Sequence, residues 1–237
     1  MSSTRIGLMV PINNTTLARE LASAMPQARL TTLRIPRGPG LLTPETLPAY
    51  QAGALTLAQS FAHAPVDVVA YGCTAAGFIG GPAADRALAR DLEAISGSPV
   101  VTTARSMVLE LQAAGAKSIA LVTPYLDPVN TCLKAFLADA GIGVRRFDSL
   151  YAADVDTLGR ITPDEVAAIA IRTMDDGCDA MFIACAQLPT RTILAGLRDA
   201  FSRPVISANA ALTTQVRAAL AGASSDVAPQ PTMERTS

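Results

Sequence analysis

The sequence contains no tryptophan, and only one of its 237 residues is a histidine, His63. This scarcity limits the available chemistry, because Cys-His or Ser-His-Asp catalysis would have to use that one residue. A zinc site built on paired histidines is excluded. His63 itself lies in the stretch SFAHAP, near the predicted end of a helix, where a polar or positive side chain is ordinary. We therefore interpret His63 as structural.

Basic blocks and long apolar runs are also missing. The 19 Lys and Arg residues balance 20 Asp and Glu residues, so the chain lacks the positive surface typical of nucleic-acid binders. Half of the residues are hydrophobic, yet no stretch approaches the roughly 20 apolar residues that cross a bilayer. The N-terminus also lacks the pattern of a signal peptide. We expect a soluble, cytoplasmic protein that binds neither nucleic acid nor membrane.

Motifs for metals and cofactors are absent as well. The four cysteines have no C-x-x-C spacing, which argues against a zinc ribbon, a dithiol redox motif or a disulfide framework. The glycine-rich stretch GFIGG, residues 77–81, fits neither the G-x-G-x-x-G nor the Walker pattern. We therefore predict that the protein uses no metal and no nucleotide cofactor.

What the sequence does contain is a regular alternation of apolar runs with alanine-rich segments of helical length. Short runs rich in Val, Ile and Leu followed by such segments are typical of α/β proteins with parallel sheets. We predict helix starts at Thr43 and Thr162, each followed by proline, and a frayed tail after Gly222. The predicted strands are residues 6–10, 29–34, 66–71, 100–102, 118–123, 143–149, 180–184 and 205–207.

An internal repeat divides the chain into two similar halves. RIGLMVPINN from residue 5 matches SIALVTPYLD from residue 118, and DVVAYGC from residue 67 matches DAMFIAC from residue 179. A third block, SPVVTTARSMVLELQAAG from residue 98, resembles RPVISANAALTTQVRAALAG from residue 203. Three blocks in the same order predict two duplicated lobes.

Two of the four cysteines, Cys73 and Cys185, occupy equivalent places in this repeat. Each follows the last apolar residue of a strand and precedes a predicted helix, where ligands collect in open parallel sheets. A helix N-terminus at that place would lower the pKa of the thiol and favour the reactive thiolate. The alternative is that they fill the core, as free cysteines often do. Cys132 and Cys178 lack such a placement, and we interpret them as structural.

The residues around these thiols include candidate groups for binding a small acid. Backbone N–H groups after each cysteine are suited to carboxylates, and two polar residues near the ends of the first strands add side-chain donors. The alternatives are that the asparagine caps a helix and that the tyrosine is an ordinary loop aromatic. The candidate binding residues are Thr74, Ala75, Ala186, Gln187, Asn14 and Tyr125.

A mobile gate is a further hypothesis for residues 34–47, RIPRGPGLLTPETL. Its glycines and prolines suit a loop over a cleft, and Arg34 or Arg37 would attract a dianion before closure. An ordinary solvated loop is the alternative.

The stretches GLMVPINNTT, YGCTAAGF, VTPYLDPVN and ACAQLP resemble signature blocks of maleate cis-trans isomerases, within the aspartate/glutamate racemase superfamily. The resemblance covers about residues 5–220 and implies two pseudo-symmetric lobes, each with a four-stranded parallel sheet flanked by helices. It also implies an active site in the cleft between the lobes, a homodimer or larger homo-oligomer, and no cofactor. The C-terminal helix would return to the first lobe, giving lobes of residues 1–97 plus 208–237 and of residues 98–207.

The same resemblance implies roles for individual residues. Cys73 would be the nucleophile that adds to maleate or a close unsaturated dicarboxylate, and Cys185 would assist proton transfer before fumarate is released. Asn14 and Tyr125 would bind the substrate. Maleate isomerases carry another binding asparagine, and Val155 stands at the corresponding place here. This departure raises the question of whether the substrate is a relative of maleate.

Other functions are kept as alternatives. Amino-acid racemases of the superfamily usually show a Cys-Thr-Glu-His motif where this chain has Cys185-Ala-Gln-Leu-Pro, and arylmalonate decarboxylases have glycine in place of Cys73. Racemisation or decarboxylation on this scaffold nevertheless stays open. An alternative of another class is a two-lobed protein that binds small carboxylates without chemistry. Substituting each cysteine by alanine and measuring both turnover and binding would separate these functions.

Overall fold

The computed structural model describes residues 3–36 and 42–225, with side chains described as far as residue 222. Each strand is followed by at least one helix. The strands are β1 (Arg5–Pro11), β2 (Arg29–Ile35), β3 (Val68–Tyr71), β4 (Val100–Thr102), β5 (Ser118–Thr123), β6 (Gly143–Ser149), β7 (Ala180–Ile183) and β8 (Val205–Ser207). The helices are α1 (Leu17–Ala24), α2 (Leu47–His63), α3 (Thr74–Phe78), α4 (Gly81–Ser96), α5 (Thr103–Ala113), α6 (Asp127–Asp139), α7 (Val155–Arg160), α8 (Pro163–Thr173), α9 (Leu194–Phe201) and α10 (Ala208–Ser225).

The strands form two four-stranded sheets with the same topology. The first sheet has the order β2-β1-β3-β4 and the second the order β6-β5-β7-β8, and all pairs are parallel. The prediction of a two-lobed α/β fold is confirmed, and all eight predicted strands are present within two residues of their predicted ends. Every residue of the inner strands β3 and β7 is buried, as expected for parallel strands covered on both faces.

Alternation of side chains explains how helices cover both faces of a sheet. In β1, Leu8 and Val10 belong to the cluster that contains Leu212 of α10, whereas Met9 points to the opposite face and packs with Phe61 of α2. The same division recurs in the second sheet, where α5 and α6 cover one face and α8 covers the other. Each sheet therefore lies between two layers of helices.

The chain changes lobes after the last strand of each sheet. Strand β4 pairs with β3, with Val100 beside Val69, so the predicted boundary after residue 97 wrongly places this strand in the second lobe. The crossing comes after Thr102, because α5 packs against the second sheet. It mirrors the crossing after β8, where α10 returns to the first sheet as expected. The helices α5 and α10 also pack against each other.

The predicted helix starts have different outcomes. Thr162 caps α8 in a reciprocal arrangement, because its hydroxyl accepts from the Glu165 N–H at 3.3 Å and its own N–H donates to the Glu165 carboxylate at 2.8 Å. The prediction for Thr43 is wrong. Thr43 accepts through its carbonyl from the Leu47 N–H at 3.0 Å, closing a turn ahead of α2.

The ends of the chain add two observations. Helix α10 continues past Gly222 to Ser225, so the prediction that the frayed tail begins after Gly222 is wrong, and residues 226–237 lie outside the described residues. None of the helices in the described residues is both long enough and apolar enough to cross a membrane.

Candidate active site

Cys73 lies directly after β3, at the N-cap position of α3, with an extended backbone. The pairing of β3 with β1 continues one residue past the strand, because Gly72 donates its N–H to the carbonyl of Met9 in β1 at 2.7 Å. A Cβ atom at Gly72 would lie 2.9 Å from a methyl carbon of Val10, so only glycine fits at this position. The Cys73 thiol therefore lies at the end of the sheet, where it is 7% exposed.

Cys185 follows β7 but adopts a different conformation. Its φ angle of 99° lies in the region that side chains other than glycine rarely adopt. The Leu188 N–H donates to the Cys185 carbonyl at 3.2 Å, which closes a turn, and the next helix begins only at Leu194. The predicted helix directly after Cys185 is therefore wrong, because a tight turn replaces it.

The chemical environment of Cys185 also differs from the expectation. Burial raises the pKa of its thiol from 9.0 to about 11, and negative charge on nearby Cys73 adds to this rise. The Gln187 N–H, which donates to the Cys185 sulfur at 3.4 Å, and the Tyr125 hydroxyl lower this pKa only in part. Cys185 is therefore a neutral thiol near pH 7, suited to giving a proton rather than to acting as a resting nucleophile.

Both thiols line the same pocket, which encloses about 100 Å³ and lies where strands of both sheets end. This volume holds a small molecule rather than a polymer. The pocket-lining residues are Pro11, Asn13, Asn14, Leu42, Tyr50, Gly72, Cys73, Thr74, Ala75, Pro124, Tyr125, Leu126, Val129, Ala152, Leu158, Cys185, Ala186 and Gln187. All eight predicted site residues are therefore together at one pocket. Cys132 lies in α6 and Cys178 before β7, and neither lines it.

Asn14 caps a helix, which is one of the two roles considered for it, and it also lines the pocket. Its side-chain oxygen accepts from the N–H groups of Thr16 at 3.2 Å and Leu17 at 3.0 Å, which caps the start of α1. Its side-chain nitrogen donates to the carbonyl of Ala186 at 3.0 Å, across to the second lobe. Asn14 therefore fixes the two lobes to each other while it lines the pocket.

Tyr125 is held in place by its backbone and its ring. Its carbonyl accepts from Asn130 and Ser149, both at 2.7 Å, and its ring packs edge to face on Phe78 with centroids 5.7 Å apart. Its hydroxyl is buried and makes no well-formed hydrogen bond to a described residue, although it lies beside the Cys185 thiol. Burial and the charge of an ionised Cys185 raise the pKa of this hydroxyl well above its usual value, so it is a neutral donor.

The residues after each cysteine form hydrogen bonds within the protein that the sequence did not predict. The Ala186 N–H donates to the Thr74 hydroxyl at 3.0 Å, so this predicted donor is already engaged. The Gln187 side chain forms a reciprocal pair with Thr15, with two hydrogen bonds of 3.0 Å. Ala186 and Gln187 therefore join the lobes. The N–H groups of Thr74 and Ala75 belong to the first turn of α3, whose donors have no partner within the helix.

Sequence reasoning missed Glu20, which holds the segment after Cys185 from the other lobe. The Glu20 carboxylate accepts from the N–H groups of Thr190 at 2.7 Å and Arg191 at 2.9 Å, and from the side chain of Asn209 at 2.8 Å. These partners are about 170 to 190 positions away in the chain, and no local pattern connects them. Only the arrangement of the lobes reveals this role.

Asn13 is a second residue that the sequence analysis missed. It lines the pocket beside Asn14, and its side-chain oxygen is buried without a hydrogen-bond partner among the described residues. Its place in the stretch INN, next to a predicted binding residue, was the only available signal. An amide oxygen accepts hydrogen bonds, so a donor group or a water molecule in the pocket would satisfy it, whereas a carboxylate would not.

The remaining predictions concern the rim of the pocket. Val155 begins α7, which Asp154 caps, and it is not one of the pocket-lining residues. Arg34 donates to the carbonyls of Ile12 at 3.1 Å and Asn14 at 2.9 Å, so it supports the loop after β1. The hypothesis of a gate falls partly on residues 37–41, including Arg37, which lie outside the described residues.

Two observations bear on the other chemistries considered. His63 is the last residue of α2 and contacts the carbonyl of Gln59 at 2.9 Å, away from the pocket, so its predicted place at a helix end is confirmed. In residues 3–36 and 42–225, no group of three or more His, Cys, Asp or Glu side chains is arranged to hold a metal ion.

Comparison with known proteins places this geometry in a family. The sequence model of the arylmalonate decarboxylase family matches residues 6–230. The maleate isomerase of Nocardia farcinica is 32% identical over 219 residues, which covers 88% of this chain and 86% of that protein.

Solved structures of similar proteins agree in fold. The maleate isomerase Iso of Pseudomonas putida S16, a cysteine-to-alanine variant with maleate, has a TM-score of 0.85 at 26% identity and covers 92% of each chain. A cysteine-to-serine mutant of the Nocardia farcinica maleate cis-trans isomerase, with a covalently bound succinylcysteine intermediate, has a TM-score of 0.83 at 29% identity. It covers 92% of this chain and 93% of that chain. The chain therefore belongs to the family of arylmalonate decarboxylases and maleate isomerases.

Proposed function

We propose that this protein is a cofactor-independent cis-trans isomerase that converts maleate, or a close unsaturated dicarboxylate, into its trans isomer. The observation that carries the proposal is the pair of thiols, Cys73 and Cys185, that line one small pocket from equivalent strand ends of two lobes. The relatives named maleate isomerase, one of them seen with a succinylcysteine, support the same reaction.

The first step is addition of the Cys73 thiolate to one alkene carbon. A carbon–sulfur bond forms, and the π-electron pair moves to the neighbouring carbon and its carboxylate. That carbon takes the proton of the Cys185 thiol, which leaves a succinyl group on Cys73 and a thiolate on Cys185. The raised pKa of Cys185, about 11, supports this role because the thiol is protonated at neutral pH and its anion is a strong base.

The second half of the reaction reverses these bonds after a rotation. The former double bond is single in the adduct, so the two carboxylates rotate away from each other. Cys185 then removes a proton from the same carbon, the double bond forms again, and the carbon–sulfur bond breaks. Both cysteines return to their starting states, and no electrons or atoms are gained or lost, which is why no cofactor is needed.

The negative charge that develops on the carboxylate requires fixed donors. The N–H groups of Thr74 and Ala75, beside Cys73, and the neutral hydroxyl of Tyr125, beside Cys185, are suited to this task. We propose Asn14 and Tyr125 as substrate-binding residues. Ala186 and Gln187 act by holding the lobes together.

Other features of the protein follow as proposals. We propose that it works in the cytoplasm as a homodimer or larger homo-oligomer, without a nucleic-acid or membrane partner. The balanced charge supports this, as 19 basic residues face 20 acidic ones. We also propose lobes of residues 1–102 plus 208–237 and of residues 103–207. Light scattering of the purified protein would test the oligomeric state.

Proton NMR of the purified protein with maleate tests the main proposal. Appearance of fumarate is expected, and Cys73→Ala and Cys185→Ala should each abolish turnover while maleate still binds. Cys132→Ala is the matched control, since Cys132 lies outside the pocket, and should keep full activity. Binding of maleate without any turnover would favour the binding-protein alternative. Release of CO₂ from a malonate would favour a decarboxylase.

A further inference from the structure

The pocket is asymmetric although the two lobes share one topology. After β1, the first lobe presents two amides, Asn13 and Asn14, to the pocket. In the loop after β5, the second lobe presents Tyr125 and then Leu126, which the repeat aligns with Ile12 and Asn13. A symmetric dicarboxylate such as maleate would therefore meet different side chains from these two loops, amides after β1 and a phenol with an aliphatic side chain after β5. The two loops favour an asymmetric ligand.

The second lobe adds an apolar wall, formed by Leu126, Val129, Ala152 and Leu158. Val129 is 8% exposed and Ala152 is 4% exposed, whereas Leu126 and Leu158 are half-buried and leave aliphatic surface open to a ligand. None of the pocket-lining side chains among the described residues carries a charge. A hydrocarbon group on the ligand would gain from contact with this wall, whereas a bare C–H would leave it partly unused.

We infer that the preferred substrate is a maleate with a small alkyl group on one alkene carbon, such as 2-methylmaleate or 2-ethylmaleate. This inference rests on the proposed function. The alkyl group would lie against the apolar wall, on the lobe that carries Cys185.

The chemistry fits this orientation. Cys73 adds to the unsubstituted carbon, which is less crowded, and the alkyl-bearing carbon takes the proton from Cys185. Rotation, removal of a proton from that carbon and loss of the thiolate give the 2-alkylfumarate. The bonds made and broken are those of the maleate reaction, so no further reactant is required.

The test is a comparison of kcat/KM for maleate, 2-methylmaleate and 2-ethylmaleate with the unmodified protein, followed by proton NMR. Each buried methylene is worth about a fourfold factor, so we expect about fourfold and fifteenfold higher values than for maleate. A higher kcat/KM for maleate than for both alkyl compounds would overturn the inference and leave the proposed function intact. Failure to isomerise any of the three would overturn the proposed function.

Variants of the wall provide a second readout. Leu158→Asn should remove most of the preference for the alkyl compounds, and Ala152→Val, which fills space, should reduce 2-ethylmaleate turnover more than maleate turnover. Ile171→Asn is the control, because Ile171 is 58% exposed and lies outside the pocket. An unchanged preference in both wall variants would contradict the inference.

Discussion

Glu20 offers the sharpest test of how the first lobe supports the catalytic turn of the second. Its carboxylate accepts from Thr190, Arg191 and Asn209, so Glu20→Ala leaves two backbone N–H groups and one amide without their acceptor. Hydrogen bonds to a charged group are worth about 1.5–3 kcal/mol each, but their losses are not additive and Glu20 is only half-buried. We therefore expect a loss of about 3 kcal/mol in the free energy of unfolding.

This loss corresponds to a fall in Tm of about 6–12 °C for a chain of this size. Activity should fall as well, because Cys185 holds an unfavourable φ angle of 99° that the neighbouring contacts maintain. If about 1.4 kcal/mol of that strain is released, the same free energy is needed to return Cys185 to its reactive position, so kcat falls about tenfold.

Urea unfolding and steady-state kinetics measure both effects. Glu110→Ala is a matched control, since the Glu110 carboxylate accepts from the Gln215 side chain of α10 at 2.7 Å and lies away from the pocket. Glu110→Ala should lower the free energy of unfolding by about 1 kcal/mol and leave kcat unchanged. If Glu20→Ala is no less stable than Glu110→Ala and retains full kcat, the reasoning about this contact between the lobes is wrong.

Three further predictions concern buried residues. The pKa of the Cys185 thiol is about 11 in the folded protein, so as the pH rises this thiol ionises first in the unfolded chain. The free energy of unfolding should therefore fall by about 2–3 kcal/mol between about pH 9 and pH 11. Cys185→Ala should lack that fall in urea unfolding. Burial likewise raises the pKa of Asp85 to about 6, although the hydrogen bond from Thr102 lowers it. The free energy of unfolding should therefore fall as the pH rises from about 4 to 6. Asp85→Asn should flatten this dependence, and an unchanged slope would contradict the assignment. Gly77→Ala would place a Cβ atom 2.5 Å from the Cβ of Ala104 and 3.0 Å from Asp85, so it should destabilise the protein by about 1–3 kcal/mol and lower kcat by moving α3. Thermal unfolding at wild-type Tm would contradict this reasoning.

The fold was predictable because its signals are local. Short apolar runs such as those of β3 and β7 are buried on both faces, and the repeat shows that the two halves share one topology. The error at the lobe boundary arose because β4 lies at a sheet edge and its partner is decided by pairing, with Val100 beside Val69. The repeat aligns β4 with β8. Since the chain crosses to the other lobe after β8, the same alignment indicates a crossing after Thr102.

The sequence predicts which residues form the site, but not their backbone conformations or their contacts. The placement of Cys73 and Cys185 follows from the ends of parallel strands. The positive φ of Cys185 does not follow, because nothing in the stretch ACAQLP requires it. The bonds of Gln187 to Thr15 and of Thr190 to Glu20 join residues about 170 positions apart, and a single sequence carries no information on such pairs.

The most direct test of the central claim is a search for the covalent adduct. The Cys185→Ser variant, which lacks the proton-transferring thiol, is incubated with maleate or 2-methylmaleate, quenched in acid and analysed by peptide mass spectrometry. We expect a mass increase of one substrate molecule on the peptide that contains Cys73, and none on the peptide that contains Cys132. An adduct on another residue, or full turnover by a Cys73→Ala variant, would contradict that claim.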